Sequence, residues 1–106
     1  MAKREFKTKR LQQIIKNIAD DFRFSNEMGD YALLFYKAHT NGVINGSEID
    51  QMLEYVTTGL EELEKSIEWR KEFLKENESF NELQMLNNLK TIEEEYIELR
   101  DFLKKR

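Results

Sequence analysis

SEIDQMLEYVTTGLEELEKSIEWRKEFLKEN, residues 47–77, decides the fold. Ile49, Leu53, Val56, Leu60, Leu63, Ile67 and Leu74 recur at steps of three, four and seven, the spacing that puts side chains on one face of an α-helix. Glutamates and lysines fill the other faces, as on a helix that buries one stripe and wets the rest. Ser47 stands at the N-cap, with Glu48 and Asp50 near the positive end of the helix dipole.

Working outward, the next segment begins at Ser79-Phe80-Asn81-Glu82, which has the spacing of a capping box. Met85, Leu89, Ile92, Tyr96, Leu99 and Leu103 then trace a heptad seam. Folding the two segments back at residue 78 opposes Leu53 to Leu103, Leu60 to Tyr96 and Ile67 to Leu89, all apolar pairs. Upstream, Leu11, Ile14, Ile15, Ile18 and Phe22 share a face, and helical spacing resumes with Ala32, Phe35 and Tyr36. Folding this segment back at the Asn41-Gly42 and Asn45-Gly46 pairs brings Met28 over Gly59, Phe22 near Ser66, Ile18 near Trp69 and Ile14 near Phe73. The spacing thus predicts an all-α fold, an antiparallel three-helix bundle with coiled-coil-like seams. Its helices cover roughly residues 4–40, 47–77 and 79–105, the first kinked or broken near residues 24–30 around Gly29. A full break there gives a four-helix version. The chain is read as a single domain, 1–106, and as a rod roughly 40 to 50 Å long.

Composition narrows the chemistry. The chain has no proline and no cysteine, and 36% of its residues are charged. That proportion suits long amphipathic helices, while the lack of cysteine removes disulfides, zinc-thiolate sites and a thiol nucleophile. The charged start, Lys3-Arg4-Glu5-Phe6-Lys7, lacks the apolar run of a signal peptide, and no stretch approaches the ~18 to 20 apolar residues of a membrane span. A cytoplasmic protein with no membrane partner is the expectation.

The segment Lys37–Glu48 resembles an EF-hand calcium loop, with Gly42 at the sixth position, Ile44 at the eighth and Glu48 at the twelfth. The first and third positions, which that family fills with acidic ligands, are Lys37 and His39, so the segment reads as an interhelical Asn-Gly turn. His39 is the only histidine, too few for a helical di-iron site. No catalytic triad, phosphate loop or cofactor motif is present, and neither a catalytic nor a metal-binding residue is assigned. The chain is read as non-enzymatic and cofactor-free.

Two charge features and a set of aromatics remain. Lys3, Arg4, Lys7, Lys9 and Arg10 stand against Glu5, leaving the first ten residues at +4 within a chain of net −4. In the register above this basic segment lies beside Glu72, Glu76, Glu78 and Glu82, which makes intramolecular charge balance its ordinary role. Its sharper role is contact with nucleic-acid phosphates. Glutamates line the later helices, with Glu61, Glu62 and Glu68 on one and Glu94 and Glu95 on the other, as solvated faces or as an acidic imitation of nucleic acid. Trp69, Phe80 and Tyr55 flank the seams and are the aromatic candidates for a binding hot spot. The leading expectation is a protein-binding module, an adaptor, regulator or inhibitor that presents a helix face to a partner protein; the size and composition suit a small phage or mobile-element protein. The alternatives are nucleic-acid binding through the basic segment and a structural role as a self-associating homo-oligomer.

Overall fold

The computed structural model describes residues 3–26 and 29–105. Among them the chain forms β1 (Lys3–Glu5), α1 (Lys9–Phe24), α2 (Asp30–Asn41), β2 (Val43–Asn45), α3 (Gly46–Glu76) and α4 (Phe80–Lys104). The all-α character expected from the spacing holds for the helices, but the three-helix bundle does not. The first segment is two helices, and its leading residues are a strand.

Local chemistry explains each boundary. Thr8 caps α1, its hydroxyl accepting from the Leu11 N–H at 3.1 Å. At the other end Asn26 adopts φ 56°, a left-handed conformation that asparagine tolerates and that stops the helix. The chain re-enters helix after Gly29, the N-cap of α2. Gly42 ends α2 with φ 73°, donating its N–H to the Ala38 carbonyl at 2.8 Å.

The cap of α3 falls two residues before the expected Ser47. The Asn45 side chain accepts from the Glu48 N–H at 3.2 Å, and the Glu48 carboxylate accepts from the Asn45 N–H at 3.0 Å. This reciprocal pair satisfies two free amides where Ser47 satisfies none, its hydroxyl instead donating to Asn45 Oδ1 at 3.1 Å. At α4 only half of the expected box forms. Ser79 accepts from the Glu82 N–H at 3.3 Å, but the Glu82 carboxylate turns to Arg70 across the helix pair, also at 3.3 Å.

The strands pair antiparallel, Lys3 opposite Asn45, Arg4 opposite Ile44 and Glu5 opposite Val43. The pairing continues with the Phe6 N–H donating to the Gly42 carbonyl at 2.8 Å. Three-residue strands are too short to show a period, so nothing in the spacing signals them. Phe6 anchors the ribbon, buried against Phe102 with ring centroids 5.5 Å apart.

α1 and α2 turn back on each other and together cover only the first half of α3 and the last half of α4. The continuous core lies there: Ile14, Ile15, Ile18 and Phe22 of α1, Ala32, Phe35 and Ala38 of α2, Ile49, Met52, Val56 and Leu60 of α3, and Leu99 and Leu103 of α4. Beyond it α3 and α4 run on as a two-helix arm. Ile67 and Leu86 are buried in the arm but stand outside that core. The expected α3–α4 pairing survives with a shift of one residue, since Tyr96 packs on Gly59. The expected register of the first segment fails. Phe22 meets Phe35 and Tyr55 at 5.8 and 5.4 Å, not Ser66, and Trp69 is left 57% exposed. Met28 lies outside the described residues.

Two outcomes test this packing. A Cβ on Gly59 would sit 2.7 Å from Tyr96 Cε2. Gly59→Ala is therefore expected to cost about 1–3 kcal/mol by crowding, against a gain of about 1 kcal/mol at a free helical position; thermal unfolding followed by circular dichroism reads the sign. Asn45→Ala is expected to cost about 1 kcal/mol and Ser47→Ala a few tenths at most. Equal losses in urea unfolding would contradict the Asn45 cap.

Candidate protein-interaction surface

Among the described residues, four of the six exposed large apolar side chains lie on the arm; Phe24 and Leu33 are on the body. Trp69 stacks on Phe73 with centroids 5.6 Å apart, and the Arg70 guanidinium lies 5.5 Å from the indole ring. Phe80, the first residue of α4, is 73% exposed, and Leu83 and Met85 on the next turns are 47% and 44% exposed. Trp69 and Phe80, expected at the margin of the seams, are thus both open to solvent on the arm. Tyr55 is not. It is half-buried in the body, with rings of Phe22, Tyr31 and Phe35 at 5.2–5.4 Å and Tyr96 at 6.3 Å. It packs among these rings and also lines a surface cleft.

The acidic candidates separate in the same way. Glu61, Glu62, Glu68 and Glu94 are exposed. Glu95 departs from the exposed face expected of it: it is 8% exposed and accepts from the Asn17 side-chain amide at 3.0 Å. It is enclosed because α1 lies along the last half of α4.

That same placement corrects the basic segment. Lys3 and Arg4 belong to β1, Lys7 lies 3.5 Å from Glu5, Lys9 opens α1, and Arg10 donates to Glu98 at 2.6 Å. The balancing carboxylates are therefore Glu5 and Glu98, not Glu72, Glu76, Glu78 and Glu82. The hydrogen bond to Glu98 holds the Arg10 guanidinium above its usual pKa.

Two open clefts, of about 650 and 440 Å³, lie where α2 and α1 respectively meet the α3–α4 pair, and both reach Tyr96. The charged residues lining the first are Glu54 and Glu62; those lining the second are Asp20, Asp21 and Glu95. Among the described residues no cation lines either. Burial, then Glu95 and Asp20, push the Asp21 carboxyl above its ordinary pKa. Burial, with Tyr55 beside it, pushes the Tyr96 phenol far up, so it stays neutral. Asp20, Asp21, Glu54, Tyr31 and Tyr96 were not singled out from the sequence. Their meeting depends on the α1–α2 turn, which carries no periodic signal.

The loop that resembles an EF-hand does not fit a divalent cation. The Lys37 ammonium lies 2.8 Å from one Glu48 oxygen, and the Asn45 N–H occupies the other. Both oxygens of the twelfth-position carboxylate are thus satisfied from within the chain, and Lys37, then Asn45, hold that carboxyl below its usual range. His39 is exposed. Among the described residues no group of three or more histidines and carboxylates is arranged to hold a metal, and no helix is long and apolar enough to cross a membrane. The chain matches no protein-family model, no curated protein and no solved structure.

The crowded carboxylates have a measurable signature. A group whose folded pKa exceeds its unfolded value opposes folding once ionised; the penalty is absent below the unfolded pKa and complete above the folded one. Asp21→Asn is therefore expected to leave stability unchanged near about pH 3 and to raise it at neutral pH by up to about 0.5 kcal/mol. Urea unfolding at the two pH values checks this; a loss at neutral pH would show that Asp21 makes a favourable contact.

Proposed function

We propose that this chain is a non-enzymatic protein-binding module that offers its α3–α4 arm to a partner protein. The observation that supports this reading is the set of large apolar side chains left open on one helix pair: Trp69, Phe80, Leu83 and Met85. An exposed tryptophan already braced by Phe73 and Arg70 loses little side-chain entropy on contact, which is the profile of an interface anchor. Two further large apolar side chains, Phe24 of α1 and Leu33 of α2, are exposed singly on the body.

The alternatives draw less support. In the nucleic-acid reading, Lys7 and Arg10 already have carboxylate partners, leaving Lys3, Arg4 and Lys9 as the free end of the basic segment. For self-association, residues 61–94 hold ten glutamates against Lys65, Arg70, Lys71, Lys75 and Lys90, a net −5 that repels a second arm.

The test is affinity capture with nuclease present, comparing the wild-type chain with a Trp69→Ala, Phe80→Ala double variant and with Leu33→Ala, an exposed apolar residue on α2, as control. Loss of the two aromatics is expected to weaken retention of a specific protein by about tenfold or more, with the control unchanged. Because both side chains are exposed, thermal unfolding is expected to move little. Retention equal to wild type removes the aromatic arm as the contact, and material lost to nuclease transfers the reading to nucleic acid.

A further inference from the structure

The core stripes of α3 and α4 do not end where the core ends. On α3 the stripe runs from Val56 and Leu60 to Leu63 and Phe73, and on α4 from Leu103 and Leu99 back to Ile92, Leu89 and Met85. The first members of each run are buried; Leu63, Phe73, Leu89 and Ile92 are half-buried and Met85 is exposed. The helix that the spacing would place over them is α1, and it ends at Phe24 and folds back. A strip of helix pair is left with the pattern of an interior and no third helix on it. From Leu63 to Phe73 it spans ten residues of α3, about 15 Å or three helical turns.

The rim of this strip identifies what it accepts. At its head the clefts over Tyr96 present Glu54 and Glu62 on one side and Asp20, Asp21 and Glu95 on the other. Among the described residues no cation lies within ion-pairing distance of Asp21, Glu54, Glu62 or Glu95. Asp20 has Lys16 at 3.6 Å and Arg23 at 4.0 Å, both on its own helix. Between the two acidic walls lie the rings of Tyr31, Tyr55 and Tyr96, faces that attract ammonium and guanidinium groups. An apolar floor with anionic walls and aromatic faces is complementary to a helix that is apolar on one side and basic on its flanks. It is repulsive to a second copy of the acidic arm and to any phosphate-bearing ligand.

We propose that the groove running from Tyr96 along Leu63, Leu89 and Met85 seats a basic amphipathic helix of the partner protein, in the place a third bundle helix would take. The apolar face of that helix lies on the α3–α4 strip, and its lysines or arginines enter the two clefts beside Glu62 and Asp21. The inference rests on the protein-binding reading and narrows it, because it places the principal contact at the head of the arm and leaves Trp69 and Phe80 to flank it.

The test uses the full chain, labelled with nitrogen-15 and titrated with two synthetic helical peptides of about 18 residues, one of leucine and lysine and one of leucine and glutamate. The leucine–lysine peptide is expected to shift the amides of Tyr31, Glu62, Leu63, Leu89 and Tyr96, with an affinity that falls as salt rises. A Glu62→Gln, Asp21→Asn double variant, isosteric with the parent, is expected to bind that peptide about fivefold more weakly. Equal binding of the leucine–glutamate peptide overturns the charge assignment, and no response to the leucine–lysine peptide overturns the groove. Shifts confined to Trp69, Phe80 and Leu83 also overturn the groove while leaving the arm as a protein contact, so the two readings fail separately.

Discussion

Five aromatic rings, drawn from all four helices, meet at Tyr55. Phe22 arrives from α1, Tyr31 and Phe35 from α2, and Tyr96 from α4, with centroids 5.2 to 6.3 Å from the Tyr55 ring. Tilted ring pairs of this kind contribute about 0.5–1.5 kcal/mol each beyond their burial, and here they share one member. The cluster holds the α1–α2 hairpin against the α3–α4 hairpin at the level where the first pair ends. Everything above it is a four-helix core. Everything below it is two helices alone. The position of the clefts, the length of the arm and the exposure of Trp69 all follow from where these rings meet.

Much of this architecture was legible in the residues, and the part that was not shares one cause. The seams of α3 and α4 are long, and long periods average out local noise, so their pairing is in error by only one residue at Gly59 and Tyr96. The helix of α1 is likewise plain from Leu11, Ile14, Ile15, Ile18 and Phe22. What covers that stripe is a tertiary matter: residues 25–29 hold no proline and no paired glycines, and among the described residues of this segment Asn26 has a positive φ. A continuous first helix would have filled the arm with its own chain, which is why the large-to-small pairings against Gly59 and Ser66 looked self-consistent. Gly59 and Ser66 instead line an open cleft with Tyr31 and Tyr96. The acidic and basic candidates were read correctly as charges and wrongly as neighbours, since Glu95 and Arg10 acquire their surroundings from α1 lying along the last half of α4.

The Lys37–Glu48 loop shows how one charge can replace an ion. The helices on either side, the left-handed glycine and the short strand at Ile44 are all present, and the strand finds its mate in Lys3–Glu5. An ammonium supplied by α2 reaches the carboxylate at the start of α3 and joins the two helices without a ligand. Because the pair is internal, its strength depends on pH and ionic strength and not on the supply of a metal. Glu48 is ionised in the fold at pH values where a free glutamate begins to protonate, and the contribution of the pair is present above the unfolded pKa and fades as the pH falls through the lower folded one.

α3 is one uninterrupted helix of 31 residues, capped at Asn45 and carrying no proline. Its first half lies in the four-helix core and its second half in the arm. At Gly59 the absence of a side chain lets Tyr96 pack directly on its backbone. Tyr96 also forms the common floor of both clefts. A side chain at position 59 would therefore displace the floor that the two acidic clefts share.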